Sequence, residues 1–184
     1  MSLIRAELTP HPDCSCPAIR QFAIEIDPAR LPASLVILYR IAGEIGRLSL
    51  PPAGFARRAD GLWQHSCFEA FLRAGPVASY YEFNFAPSGD WAAWRFGKPR
   101  SERSTPGIPA PRMERRHFPD GYEMSATLPI AALPELARAI EIEAGITAVI
   151  EADDGSLSHW ALAHGGASPD FHDPATFVLK VSRP

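Results

Sequence analysis

The sequence predicts an all-β fold, an antiparallel two-sheet β-sandwich of jelly-roll type with one short helix. Three observations lead there. Apolar and polar residues alternate with a period of two in run after run, as they do when a strand buries one face. Turn chemistry separates these runs at short intervals: Pro-Ser-Gly-Asp at 87–90, Pro-Asp-Gly at 119–121 and Asp-Asp-Gly at 153–155. Helix-type patterning is confined to 130–140 and is broken near Pro134. About ten short strands and less than about a fifth helix are expected, below the usual third.

The elements follow in order. Residues 1–17 read as an irregular N-terminal arm, and 1–184 as a single β-sandwich domain. Strands are expected at 19–26, 35–42 and, after Gly43, 44–50. Pro51, Pro52 and Gly54 break the chain into a loop to Gly61. A three-stranded meander follows over 65–73, 79–86 and 91–96. Residues 97–111 hold four prolines and no periodicity, so they read as a surface loop. A hairpin is expected from 112–118 and 122–128, then the short helix at 130–140. Strands at 146–152, 157–162 and 176–181 complete the chain, with 164–174 a loop.

The meander is the centre of the reading. If Leu72 faces Tyr81, Ala70 faces Phe83 and Phe68 faces Phe85, so one face is apolar and belongs to the core. The other face carries His65, Cys67, Glu69 and Phe71, with Glu82 and Asn84 opposite them. Setting Ala86 opposite Trp91 adds Trp91 and Arg95 to that polar face, brings Arg95 against Glu82 and leaves Trp94 on the core side. An acid, an amide, a base and aromatic rings on one surface suit a sugar. Flat rings cover its apolar face and planar polar groups meet its hydroxyls.

Composition narrows the partners. A net charge of -3 gives no electrostatic reason to expect nucleic acid or an anionic membrane. No apolar run approaches the roughly 20 residues of a membrane span, and the first residues lack the apolar stretch of a signal peptide. Cys14, Cys16 and Cys67 are an odd number, and the first two stand too close for an unstrained bridge. Reduced thiols and a cytoplasmic location are the expectation.

The segments DGLWQHSCFEAFL, YYEFNFAPSGDWAAW and DDGSLSHWAL resemble the DOMON-like group that includes the family 9 carbohydrate-binding modules. The resemblance runs over about 35–180. It implies a β-sandwich holding a sugar or a glycan chain end in a slot between two tryptophans, which fall here on Trp63 and Trp160. The family's acidic residue falls on Glu69. Asn84 and Arg95 are candidates for its amide and guanidinium groups. No cofactor is expected. Calcium, bound in some relatives, finds oxygen ligands only at the Asp153-Asp154-Gly155 turn, and no spacing among Met113, His117 and Met124 argues for the haem some relatives hold.

Three alternatives stand beside a non-catalytic sugar site made of Trp63, His65, Glu69, Asn84, Trp91, Arg95 and Trp160: a glycosidase, a metal or haem site, and an interaction module that grips a protein loop instead of a small ligand. Glu69 and Glu82 are the residue types of a glycosidase pair. His159, His164, Asp170, His172 and Asp173 are metal-ligand types crowded in one segment, although no tight ligand spacing appears. Cys14, Cys16 and His11 form a weaker metal candidate.

Overall fold

The computed structural model describes residues 3–183. Two antiparallel sheets face each other, as the alternation predicts. The first sheet runs in the order β1 (Ile4–Glu7), β3 (Ile19–Asp27), β4 (Leu35–Gly43), β9 (Gly121–Leu128) and β8 (Arg112–Phe118). The second runs β2 (Thr9–Pro10), β11 (Leu157–Ala161), β10 (Glu141–Glu151), β5 (Cys67–Arg73), β6 (Tyr80–Phe85) and β7 (Trp91–Phe96). A last strand, β12 (Leu179–Ser182), pairs with the first residues of β10.

The core forms where the inner faces meet. β9 shows the pattern plainly: Tyr122, Met124, Ala126 and Leu128 are buried, and the residues between them are partly exposed. Ile37 and Tyr39 of β4 join this layer and oppose Phe68, Ala70 and Leu72 of β5. Phe68 stacks on Tyr122 at 5.8 Å between ring centroids, and Tyr39 donates its hydroxyl hydrogen to the Glu69 carbonyl at 2.8 Å, tying the sheets together.

Four expectations are corrected. The arm is not irregular throughout: β1 pairs with β3 and β2 with β11, so its two short strands join opposite sheets. Residues 44–50 form a 3-10 turn, Ile45–Arg47, and not a strand. This segment crosses between the sheets, and Leu48 makes one bridge to Ala152. The helical segment divides into a 3-10 turn, Ile130–Ala132, and α1 (Pro134–Arg138), with Pro134 at the helix start, where its missing N–H is harmless. β10 begins five residues before the expected boundary because Glu141 and Glu143 interrupt the apolar signal. Glu143 is neutralised by Arg73 on the neighbouring strand at 2.6 Å.

Candidate functional site

The outer face of the second sheet carries a cleft of about 450 Å³. Its floor comes from β10, β5, β6 and β7. Glu69 lies between Thr147 and Asn84 in the pairing, and one step along, Phe71 faces Glu82, which faces Trp94. The β5–β6 register is the expected one, so Glu69, Asn84 and Glu82 share a face. Glu69 and Glu82 are diagonal neighbours across the strand pair, a relation that brings long side chains within reach.

β7 does not follow the expectation. Phe85, and not Ala86, faces Trp91, and Tyr81 faces Arg95. The connection is a three-residue loop, Pro87-Ser88-Gly89, closed by the Ala86 N–H donating to the Asp90 carbonyl at 2.9 Å. Gly89 takes φ +104°, the geometry such loops ask of a glycine. One residue of register moves every side chain to the opposite face. Trp91 therefore enters the core, Arg95 pairs with Glu135 of α1 at 2.6 Å, and Trp94 reaches the cleft.

The second slot tryptophan is also corrected. Trp160 faces Ala148, which faces Phe68, so all three point into the sandwich. Trp160 is 5% exposed, packs on Phe22 at 5.6 Å between ring centroids and donates its indole hydrogen to Ser158 Oγ at 2.9 Å. It forms no wall with Trp63. His65 lies just outside the cleft, with Nδ1 2.8 Å from a Glu151 carboxylate oxygen.

Trp63 lines the cleft. It lies in a 3-10 turn, Leu62–Gln64, whose entry needs Gly61 at φ +73°. The ring is 54% exposed. The other walls come from loops. Residues after β11 fold back over the sheet, placing Phe171 and His172 above Phe71. Phe177 lies so close that a Cβ on Gly145 would meet its ring at 2.9 Å, which is why β10 carries a glycine there. The loop after β7 supplies Arg100 and Arg103. Arg100 pairs with Asp170 at 2.7 Å and Arg103 with Asp60 at 3.5 Å, while the Arg103 guanidinium lies over the Trp94 ring at 4.3 Å.

Hydrogen bonds order the floor. Asn84 donates from Nδ2 to Glu82 Oε1 at 2.6 Å. The Arg100 backbone N–H donates to Tyr80 Oη at 3.2 Å, and the Tyr80 hydroxyl stands 2.7 Å from His172 Nδ1. With that hydroxyl donating, the imidazole hydrogen is assigned to Nε2, which faces Glu82 Oε2 at 3.7 Å. Glu69 is 3% exposed; one oxygen accepts from Thr147 Oγ1 at 3.2 Å, and the Cys67 thiol also hydrogen-bonds to the carboxyl.

Burial dominates the electrostatics. It pushes the Glu69 carboxyl up to about 8, with the Glu82 charge adding to the effect. Glu82 is also raised by burial, against the Asn84 hydrogen bond. The same cause holds His172 down at about 4, helped by the Arg100 charge. The floor therefore holds two reluctant carboxylates beside an imidazole that stays neutral.

The metal-ligand types at 159–173 have separate partners. His159 lines the cleft and stands 3.3 Å from the Cys14 thiol, His164 Nε2 is 2.9 Å from the Thr9 carbonyl, and Asp173 caps a 3-10 turn through the Ala175 N–H at 2.9 Å. Among the described residues, no three His, Cys, Asp or Glu side chains converge as a metal would require. At the Asp153–Gly155 turn, Asp154 accepts from the Ser156 N–H at 2.9 Å.

Sequence reasoning missed Trp94, Arg100, Arg103, His159 and His172 as cleft residues. Only Trp94 had a local signal, the glycine that permits a three-residue loop. The rest depend on how aperiodic loops fold back.

No protein-family model matches the chain, and neither does any curated protein. Solved structures do. One, a protein from Bacteroides uniformis provisionally described as carbohydrate-binding, aligns with a TM-score of 0.59 at 15% identity, over 92% of this chain and 83% of that one. A family 9 carbohydrate-binding module from Caldicellulosiruptor kristjanssonii in complex with glucose aligns at 0.46 and 13% identity, over 89% and 76%. The same organism's module with cellotriose aligns at 0.44 and 12% identity, over 86% and 73%. The first likeness is one of sandwich architecture; the other two overlap too loosely for their ligands to bear on this cleft.

Proposed function

We propose that the cleft binds carbohydrate without transforming it, holding one or two sugar units against Trp63 above the Glu69 and Glu82 carboxyls. The observation that carries this reading is the juxtaposition in one cleft of a half-exposed indole with a buried, hydrogen-bonded polar floor. The axial C–H groups of a pyranose give an apolar patch for the indole, while its hydroxyls need donors and acceptors in fixed positions. Trp94 and Phe171 take the place first expected of Trp160. A small hydrophilic ligand must be desolvated, so binding is micromolar to millimolar, about -8 to -4 kcal/mol. Tryptophan fluorescence titrated with glucose, xylose, cellobiose and glucosamine-type sugars tests the reading. A saturable change lost in Trp63→Ala supports it, and silence towards all of them defeats it.

A glycosidase reading is favoured by one observation, the Glu69 carboxyl raised to about 8, where it holds a proton at neutral pH as a general acid does. Glu82 is raised as well, which suits it poorly to the partner role of nucleophile or base. Release of nitrophenol from aryl glycosides, abolished in Glu69→Gln, would move the protein to that class.

A further inference from the structure

The cleft floor holds two buried carboxyls that no Lys or Arg pairs with directly among the described residues. Both guanidinium groups in the walls are committed, Arg100 to Asp170 at 2.7 Å and Arg103 to Asp60 at 3.5 Å. The imidazole nearest Glu82, His172, is kept neutral by burial and by the Arg100 charge. Neither Glu69 nor Glu82 has a Lys or Arg within ion-pair distance among the described residues. Glu69 lines the cleft, is 3% exposed and has only neutral hydrogen-bond partners, Thr147 Oγ1 at 3.2 Å and the Cys67 thiol. Trp63, Phe71, Trp94, Phe96 and Phe171 surround the space above these carboxyls. Rings attract a cation through their negative faces, and a buried carboxylate pairs with one at short range.

We infer that the ligand carries a primary amine, and that this cleft selects an amino sugar by pairing its ammonium group with the Glu69 and Glu82 carboxyls. This deepens the carbohydrate reading and rests on it. An uncharged sugar leaves the two acids without a counter-charge; an acidic sugar would meet them with like charge, because both arginines are already neutralised. An ammonium group pairs with both carboxyls and relieves the repulsion between them.

The binding step balances in protons. The free protein holds a proton on the Glu69–Glu82 pair at pH 6, since burial and mutual repulsion disfavour a second charge. When the ammonium sugar enters, the pair ionises fully and one proton leaves to the buffer. The groups that face this pair do not supply another acceptor or donor in that range. On β5 and β4, burial raises the Cys67 thiol and the Tyr39 hydroxyl, so both stay neutral. On the outer side, burial lowers His159 and His172. The other charged groups here are already paired, Asp60 with Arg103 and Asp170 with Arg100. Thr147 and Asn84 do not titrate.

Isothermal titration calorimetry with glucosamine, glucose, N-acetylglucosamine and cyclohexylamine, at pH 6 in buffers of different ionisation enthalpy, tests this. The expected result is glucosamine bound at least tenfold more tightly than glucose or N-acetylglucosamine, with close to one proton released. Affinity for glucosamine alone should rise from pH 5 to 7. Glu69→Gln should erase the glucosamine advantage over glucose together with the proton release. Equal affinities for glucosamine and glucose without proton release overturn the amine assignment and leave the sugar reading standing. Cyclohexylamine bound with proton release, and no sugar bound, keeps the amine assignment and overturns the sugar reading. No binding of any of the four overturns both.

Discussion

Replacing Glu69 with glutamine probes the cleft floor through folding stability, independently of any ligand. In the fold the carboxyl titrates at about 8 against an ordinary 4.5, chiefly because it is buried. A raised acid stabilises the fold only while it is protonated. Below pH 4.5 both folded and unfolded chains hold the proton and the group is neutral in effect. Above it the unfolded chain releases the proton first, so stability falls steadily until the folded carboxyl ionises near pH 8. At 1.36 kcal/mol per pH unit the whole interval amounts to about 5 kcal/mol, shared with Glu82 because the two titrate as a pair. Glutamine keeps the shape and the acceptor for Thr147 but removes the titration. In urea midpoints measured at pH 5, 6.5 and 8, Glu69→Gln should gain steadily on the parent protein as pH rises. Even if Glu82 relaxation absorbs half the effect, the variant gains about 2 kcal/mol on the parent by pH 8. His172 is common to both proteins and cancels from the difference. Midpoints that run parallel across this range would show that Glu69 is not held protonated, and the account of the floor would fall.

Trp63→Ala should abolish the sugar response while changing stability by less than about 0.5 kcal/mol, because the ring is mostly exposed; Trp160→Ala should cost about 3–5 kcal/mol and lower the melting temperature instead. A melting temperature that falls equally in both would contradict their assigned positions. Phe83→Ala, in the core, should cost about 3–5 kcal/mol, and Asn84→Ala about 1–3 kcal/mol, because it strips the buried Glu82 oxygen of its donor; chemical denaturation reads both, and the reverse order would refute the face assignment. The His172 imidazole should stay neutral in an NMR titration until about pH 4. A depressed base favours the unfolded state once that state begins to bind its proton, so His172→Phe should gain stability relative to the parent as pH falls from 6.5 towards 4.

The floor was legible in the sequence and the walls were not, for a physical reason. Alternation along β5 and β6 is a local property. Once Leu72 is set against Tyr81, Glu69, Asn84 and Glu82 must share the face away from Phe68 and Phe83. The position of β7 depended instead on whether its loop held three residues or four, and the turn signal at 87–90 is compatible with both. That single residue exchanged Trp91 for Trp94 and sent Arg95 to α1. The family resemblance points to Trp160 as a slot wall, but strand parity turns it inward. Ser158 and Trp160 lie on one face of β11, and the pairing with β10 points that face inward. Arg100, Arg103 and His172 come from segments without periodicity, so no one-dimensional signal placed them over the floor.

The floor's composition is itself an argument for use. Domains of this kind stand about 5–15 kcal/mol above their unfolded chains. A buried acid that removes a few kcal/mol near neutral pH is therefore a large concession for a strand that could hold leucine or glutamine at position 69. The inner face of the same strands, with Phe68, Ala70, Leu72, Phe83 and Phe85 fully buried, supplies the stability that makes the concession tolerable. The two faces of β5 and β6 thus have opposite duties: one holds the sheets together and the other keeps carboxyls poised where a ligand can reach them. Strongly perturbed acids in a cleft are characteristic of working sites, and here the perturbation arises from burial beside rings and a second carboxyl, the surroundings that a polyhydroxylated, amine-bearing ligand would satisfy.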